Sequence, residues 1–153
     1  MRMVVGFALA CCASAVYGQD VTHSAVIKPD TLKWQPSPIF PKGVLVASLI
    51  GDPAKTGDNV VLRVKFPANF IMPPHTHPGP EVVTVISGEI GTSSGTTVEK
   101  AGPLLPPGSM WVYPPRHPHY AWSGDKEAVV QVQFTAPGGM TYVNPADDPR
   151  LQH

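Results

Sequence analysis

Beyond its first twelve residues this 153-residue sequence has no cysteine; Cys11 and Cys12 are the only two. A chain that loses its first segment would have no disulfide and no thiol chemistry, so its stability must come from burial or from a bound metal. Charge is also scarce. Lys, Arg, Asp and Glu make up 14% of the residues, eleven of each sign, and they form neither a basic stripe nor an acidic run. That pattern leaves no electrostatic footprint for nucleic acid or an anionic membrane. Nor is there a stretch of ten residues with helical period that proline or glycine leaves uninterrupted. Internal repeats and low-complexity tracts are absent as well.

The longest apolar stretch, Met3 to Val16 after Arg2, is shorter than the roughly 20 residues a spanning helix needs. A basic start, a short apolar centre and small residues ending at Gly18 describe a secretory signal peptide over residues 1–18, cleaved after Gly18. Lipid attachment at Cys11 or Cys12 is disfavoured because the usual flanking residues are missing. The expected location is therefore exported, periplasmic or secreted, with no membrane association after cleavage. The mature chain keeps ten Lys+Arg against eleven Asp+Glu. At about 135 residues it is one domain with one core.

Nineteen prolines and fourteen glycines punctuate what remains. Between them lie "GVLVASLI" (Gly43–Ile50), "NVVLRVKF" (Asn59–Phe66), "EVVTVIS" (Glu81–Ser87), "SMWVYP" (Ser109–Pro114) and "EAVVQVQF" (Glu127–Phe134). Short runs rich in Val, Ile and aromatics, bounded by Gly/Pro/Asp clusters, predict antiparallel strands in a sandwich or barrel. The fold class is all-β. The barrel is expected over residues 43–143, preceded by a wrapping segment or edge strand over residues 19–42. A polar, poorly ordered tail over residues 144–153 is expected to follow, with Asp147 and Asp148 solvated rather than holding a cation.

Chemistry concentrates in "PPHTHPGPEVVTVISG", Pro73–Gly88. In extended backbone, residues i and i+2 stand on one face roughly 7 Å apart, so His75 and His77 converge. The four prolines around them exclude a helix. "HPGP" reads as a tight turn that returns Glu81 to the same spot. Two imidazoles and a carboxylate make a mixed nitrogen–oxygen site for a divalent first-row metal.

Some forty residues later comes "LPPGSMWVYPPRHPHYAWSG", with a turn at Pro106–Gly108, a strand through Trp111 and Tyr113, and His117 and His119 around a proline. Together the two segments resemble the two motifs of the cupin family. His75, His77, Glu81 and Gly88 fit the first motif in full, and Pro106, Gly108 and His119 fit the second. The asparagine usual four residues past that histidine is Ser123 here, and the spacing from turn to histidine is longer than the commonest version. The resemblance covers roughly residues 43–135, by comparison with the family. It implies a single antiparallel β-barrel, or jelly roll, of two sheets with one metal inside, held by His75, His77, Glu81 and His119. His117 competes with His119 as fourth ligand or supports it from behind. Fe or Mn is favoured; Zn, Ni, Co and Cu also suit the donors. A homodimer built on edge strands is a further expectation from the resemblance.

Other signals are weaker. "GTSSG" (Gly91–Gly95) satisfies the hydrolase elbow pattern, but no helix follows, and a hairpin loop is the better reading. Trp111, Tyr113, Tyr120 and Trp122 either pack the core or line a pocket for a flat or sugar-like ligand. Gln131 and Gln133 face either the interior or solvent, and Glu89 is expected at the surface.

Two functions follow. One is a mononuclear-metal oxidoreductase or dioxygenase acting on a small oxygen-rich substrate, with Glu81 as general base and His117 as proton shuttle; Lewis-acid isomerisation is its variant. The alternative is a binding module that captures a metal or small ligand without turnover. A structural barrel with a vestigial site would hold no metal at all.

Overall fold

The computed structural model describes Gly18 and residues 24–152; apart from Gly18, the leader read over residues 1–18, with both cysteines, lies outside the described residues. The described chain forms β1 (Gln35–Pro36), β2 (Leu45–Ile50), β3 (Asn59–Phe66), β4 (Ile71–Thr76), β5 (Glu81–Ser87), β6 (Ile90–Ser94), β7 (Met110–Tyr113), β8 (His119–Ser123), β9 (Ala128–Thr135) and β10 (Thr141–Tyr142). Three single-turn 3₁₀ segments are the only helical elements among the described residues. The strands make two sheets, one ordered β1-β2-β3-β9-β5-β7 and the other β10-β4-β8-β6. Every pairing is antiparallel.

Alternation along the central strands drives this arrangement. In β3, Val60, Val64 and Phe66 are buried while Arg63 and Lys65 lie on the outer face. In β9, Val130 and Val132 face in. Across from them, Met72, Ile90 and Ala121 close the same core from the smaller sheet. Each such side chain contributes about 1.5–3 kcal/mol on full burial. Gln131 and Gln133 sit between the inward valines and do not reach the interior, which settles their orientation.

Two local features shape the sheets around the site. Met72 pairs with Ala121 and His75 with His119, so three steps along β4 match two along β8. The extra residue is absorbed at Pro73–Pro74, where prolines have no N–H to give the ladder. Without this bulge, strand alternation would put Met72 and His75 on opposite faces; with it, both face the interior. Gly88, after β5, adopts φ +70°, and a Cβ there would lie 2.2 Å from the Glu127 carbonyl oxygen, so only glycine fits this turn.

Two expectations need correction. "GTSSG" is not a hairpin loop: Gly91–Ser94 belong to β6, paired along β8. The strand escapes a hydrophobicity search because Gly91 has no side chain, and the Trp122 indole occupies the place a Cβ would need, 2.1 Å from it. The tail is not loosely held either. Asn144 and Asp148 each cap a 3₁₀ turn. Asp148 is buried and paired with Arg150, whose guanidinium also donates to the Met140 carbonyl at 3.0 Å. The hydrogen bonds from Arg150 hold the Asp148 carboxyl below its ordinary range. Glu89 is exposed, as its position suggested. Gln35–Pro36 adds an edge strand to β2, and the residues after it reach the interior.

Candidate metal centre

Three histidines meet at one end of the space between the sheets. His75 is the penultimate residue of β4, His77 follows its last residue, and His119 opens β8 directly opposite His75. Their ring centroids lie 4.4 to 5.3 Å apart. One ring nitrogen from each falls within 4.8 Å of the others. Glu81, the first residue of β5, comes from the other sheet. Its Oε1 is 3.4 Å from His77 Nε2 and its Oε2 is 3.5 Å from His119 Nε2.

The hydrogen bonds decide which nitrogens face inward. His75 Nδ1 lies 2.6 Å from the Pro73 carbonyl oxygen, His77 Nδ1 2.7 Å from that of Gly139, and His119 Nδ1 2.8 Å from that of His117. A carbonyl only accepts, so each Nδ1 carries the proton and donates it. In the neutral ring, Nε2 is then a bare lone pair. All three Nε2 lone pairs are thus available to one point, and His77 Nε2 is buried with no hydrogen-bond partner. Outward donation through one nitrogen while the other is left free is how metal-binding imidazoles are oriented.

The spacing suits an ion. Bonds of about 2.1 Å put adjacent octahedral donors about 3 Å apart and opposite ones about 4.2 Å apart, close to the separations seen here. Electrostatics agree. Burial, then the neighbouring His119 and His77, push the His75 pKa down to about 3, so this ring stays neutral and able to coordinate. Burial opposes charge on Glu81, but the hydrogen bond to His119 and the nearby imidazoles outweigh it and lower its pKa.

His117 is not brought into the cluster. It is half-buried, in the turn before β8, and its Nε2 lies 2.7 Å from Ser94 Oγ. Its backbone carbonyl is what holds His119. Tyr113 stacks on His119 at 4.1 Å and on His117 at 5.4 Å, with its hydroxyl 2.9 Å from Thr92 Oγ1. Burial raises the pKa of that phenol. Of the four aromatics near the second motif, Trp111 lines the interior; Tyr120 and Trp122 pack in the core elsewhere. The sequence reading missed Gly139, whose carbonyl orients His77 from 62 residues away. Nothing local in "APGGM" signals it.

The cupin family model matches residues 52–144, more than half of the chain. The chain belongs to the cupin family. Among curated proteins, no relative matches it. Solved cupins share its fold. An RmlC-like cupin protein from Ralstonia eutropha is 16% identical, with 82% of this chain and 76% of that one covered at a TM-score of 0.63. The polyketide cyclase RemF from Streptomyces resistomycificus is 19% identical, with 84% and 91% covered at 0.65. KdgF from a Halomonas species is 21% identical, with 74% and 94% covered at 0.58. At such identities the likeness carries the fold and no activity.

Proposed function

We propose that this cupin binds one divalent first-row metal through His75, His77, His119 and Glu81, and acts on a small molecule in the adjoining cavity as a mononuclear-metal oxidoreductase or dioxygenase. The observation that carries the reading is the common hydrogen-bonding of the three rings. Each Nδ1 is committed to a backbone carbonyl, and a buried Nε2 is left without a partner at the point of convergence. A bound ion of this kind supplies Lewis-acid polarisation or, with Fe or Mn, redox chemistry with O₂.

The chain's own residues do the remaining work. The backbone carbonyls of Pro73, Gly139 and His117 fix ring orientation before any ligand arrives, and the apolar walls exclude water. Among the described residues Glu81 is the only carboxylate lining the cavity, so a proton removed from a substrate would pass to Glu81. His117 would act neither as ligand nor as proton shuttle, and what it gives the site is the backbone carbonyl that holds His119.

One observation favours the second reading, a non-catalytic module that captures a metal or ligand: among the described residues, no titratable group lines the cavity beyond the four candidate ligands. Export under a cleaved leader and pairing as a homodimer complete the proposal. The second is supported by β7, the free edge of the larger sheet, where Met110 and Val112 are exposed.

The test is metal content per chain in protein purified without added metal, with oxygen uptake measured on the same sample. Near one Fe or Mn per chain, with turnover lost on chelation, is the expected result. A stoichiometric metal without turnover would favour the binding module, and no metal in either the isolated or the reconstituted protein would overturn the metal-dependent form of both. Sedimentation of the same sample tests the homodimer.

A further inference from the structure

Beyond the imidazole end lies a cavity of about 440 Å³, within the range of about 300–1,000 Å³ for small-molecule sites. Its walls are mostly apolar. Leu62, Val64, Val83 and Val132 line it from the larger sheet, Met72 and Ile90 from the smaller. Phe40, Trp111 and Phe134 add aromatic surface. Among the described residues no lysine or arginine lines it, and the only charged or titratable groups in its wall are those of the metal end.

The wall hydroxyls offer little to a polar ligand. Thr92 Oγ1 already donates to the Tyr120 carbonyl at 3.1 Å and meets the Tyr113 hydroxyl at 2.9 Å. Ser48 is the other hydroxyl within the wall strands; Gln35 and Ser37 belong to the N-terminal segment, and Thr135 is exposed at the end of β9. A polyol placed here would bury several hydroxyls without partners, and each such loss weakens binding by about tenfold or more. A phosphate or second carboxylate on the ligand's body would have no cation to meet. An apolar ring, by contrast, gains from every wall.

We infer that the ligand of this cavity is an uncharged, ring-sized, largely apolar molecule with its oxygen donors at one end, rather than the oxygen-rich substrate suggested by the sequence. The inference rests on the metal reading above, because the oxygen end is held by whatever His75, His77, His119 and Glu81 bind. An octahedral ion held by these four groups would keep two positions, which would suit two neighbouring oxygens at the end of such a molecule.

The test uses Mn(II)-loaded protein whose metal content has first been measured. 4-Methylcatechol, gluconate and 3-phosphoglycerate are titrated while the melting temperature and tryptophan emission are followed; Trp111 lies in the cavity wall and reports occupancy. The expected result is 4-methylcatechol binding at least about tenfold more tightly than either oxygen-rich acid. Val132→Thr, which sets one hydroxyl in the wall at nearly constant volume, should weaken 4-methylcatechol severalfold without changing metal content; its melting temperature before ligand addition reports the fold. Loaded wild-type protein that prefers gluconate or 3-phosphoglycerate overturns the inference and leaves the metal site standing. Protein that cannot be loaded removes the metal reading, and the inference with it.

Discussion

The chain carries two histidine pairs of identical spacing, His75/His77 and His117/His119, each interleaved with or flanked by proline, and the fold treats them differently. Both members of the first pair reach the interior. Only His119 of the second does, while His117 turns to Ser94. The cause is backbone, not chemistry. Through the first pair the chain stays extended, with His75 and Thr76 paired to Tyr142 and Thr141 of β10. Before the second pair, Arg116 takes φ +58°, and His117 N–H donates to the Pro114 carbonyl in a turn that ends only where β8 begins. Spacing by two brings side chains together only where neighbouring strands keep the backbone extended.

The most direct way to break this comparison is to truncate each pair in turn. His75→Ala or His119→Ala should weaken metal binding by more than about 100-fold, beyond the roughly 10–100-fold cost of losing an outer partner. His117→Ala should leave affinity within about twofold of wild type, because the carbonyl that holds His119 Nδ1 belongs to the backbone and survives the substitution. Competition with a chelator of known affinity measures all three. A His117→Ala variant as impaired as His75→Ala would mean that the second pair works as a unit and that the division drawn here is wrong.

A smaller effect separates the pairs without any metal. The folded-state pKa of His75 is pushed from 6.5 down to about 3, first by burial and then by His119 and His77. Between those values the unfolded chain binds a proton that the folded protein does not, so stability falls as pH drops. The limiting slope for one proton is about 1.4 kcal/mol per pH unit. The useful window is from about pH 6.5 to 5, above the range where the lowered pKa of Glu81 adds a loss in the same direction. Urea unfolding of chelator-stripped protein across that window should show this slope. His75→Ala should flatten it by the share of one proton, and His117→Ala should leave it in place.

The comparison also explains what could be read from the sequence. The runs Asn59–Phe66 and Glu81–Ser87 are β3 and β5 residue for residue, because both are short, rich in β-branched residues and bounded by turn residues. Convergence of His75, His77 and Glu81 was legible too, since extended backbone and a tight turn are local matters. His75 reaches His119 by a device that was not read: the Pro73–Pro74 bulge, which shows only once β4 lies against β8. Likewise β6 is nearly silent in the sequence, because its packing face at Gly91 belongs to Trp122. The apolar character of the cavity was hidden for a related reason. Val130 and Val132 could be placed in a strand from the sequence, but alternation alone does not say which of its two faces is the inside.

The finest distinction concerns the hydrogen bond that His117 makes outside the cluster. Ser94 and His117 meet near the surface at 2.7 Å, where water can replace a lost partner. Ser94→Ala should therefore change stability by no more than about 0.5 kcal/mol. It should also leave metal affinity unchanged, since the turn around Arg116 and the His117 carbonyl remain to position His119. Chemical denaturation and the same chelator competition read the two quantities on one preparation. If Ser94→Ala instead alters metal affinity by tenfold, the His117 ring is reaching the site through Tyr113, whose ring stacks on both His117 and His119. Tyr113→Leu would then have to reproduce the change, because that stack is the connection the structure offers between the outer histidine and the inner three.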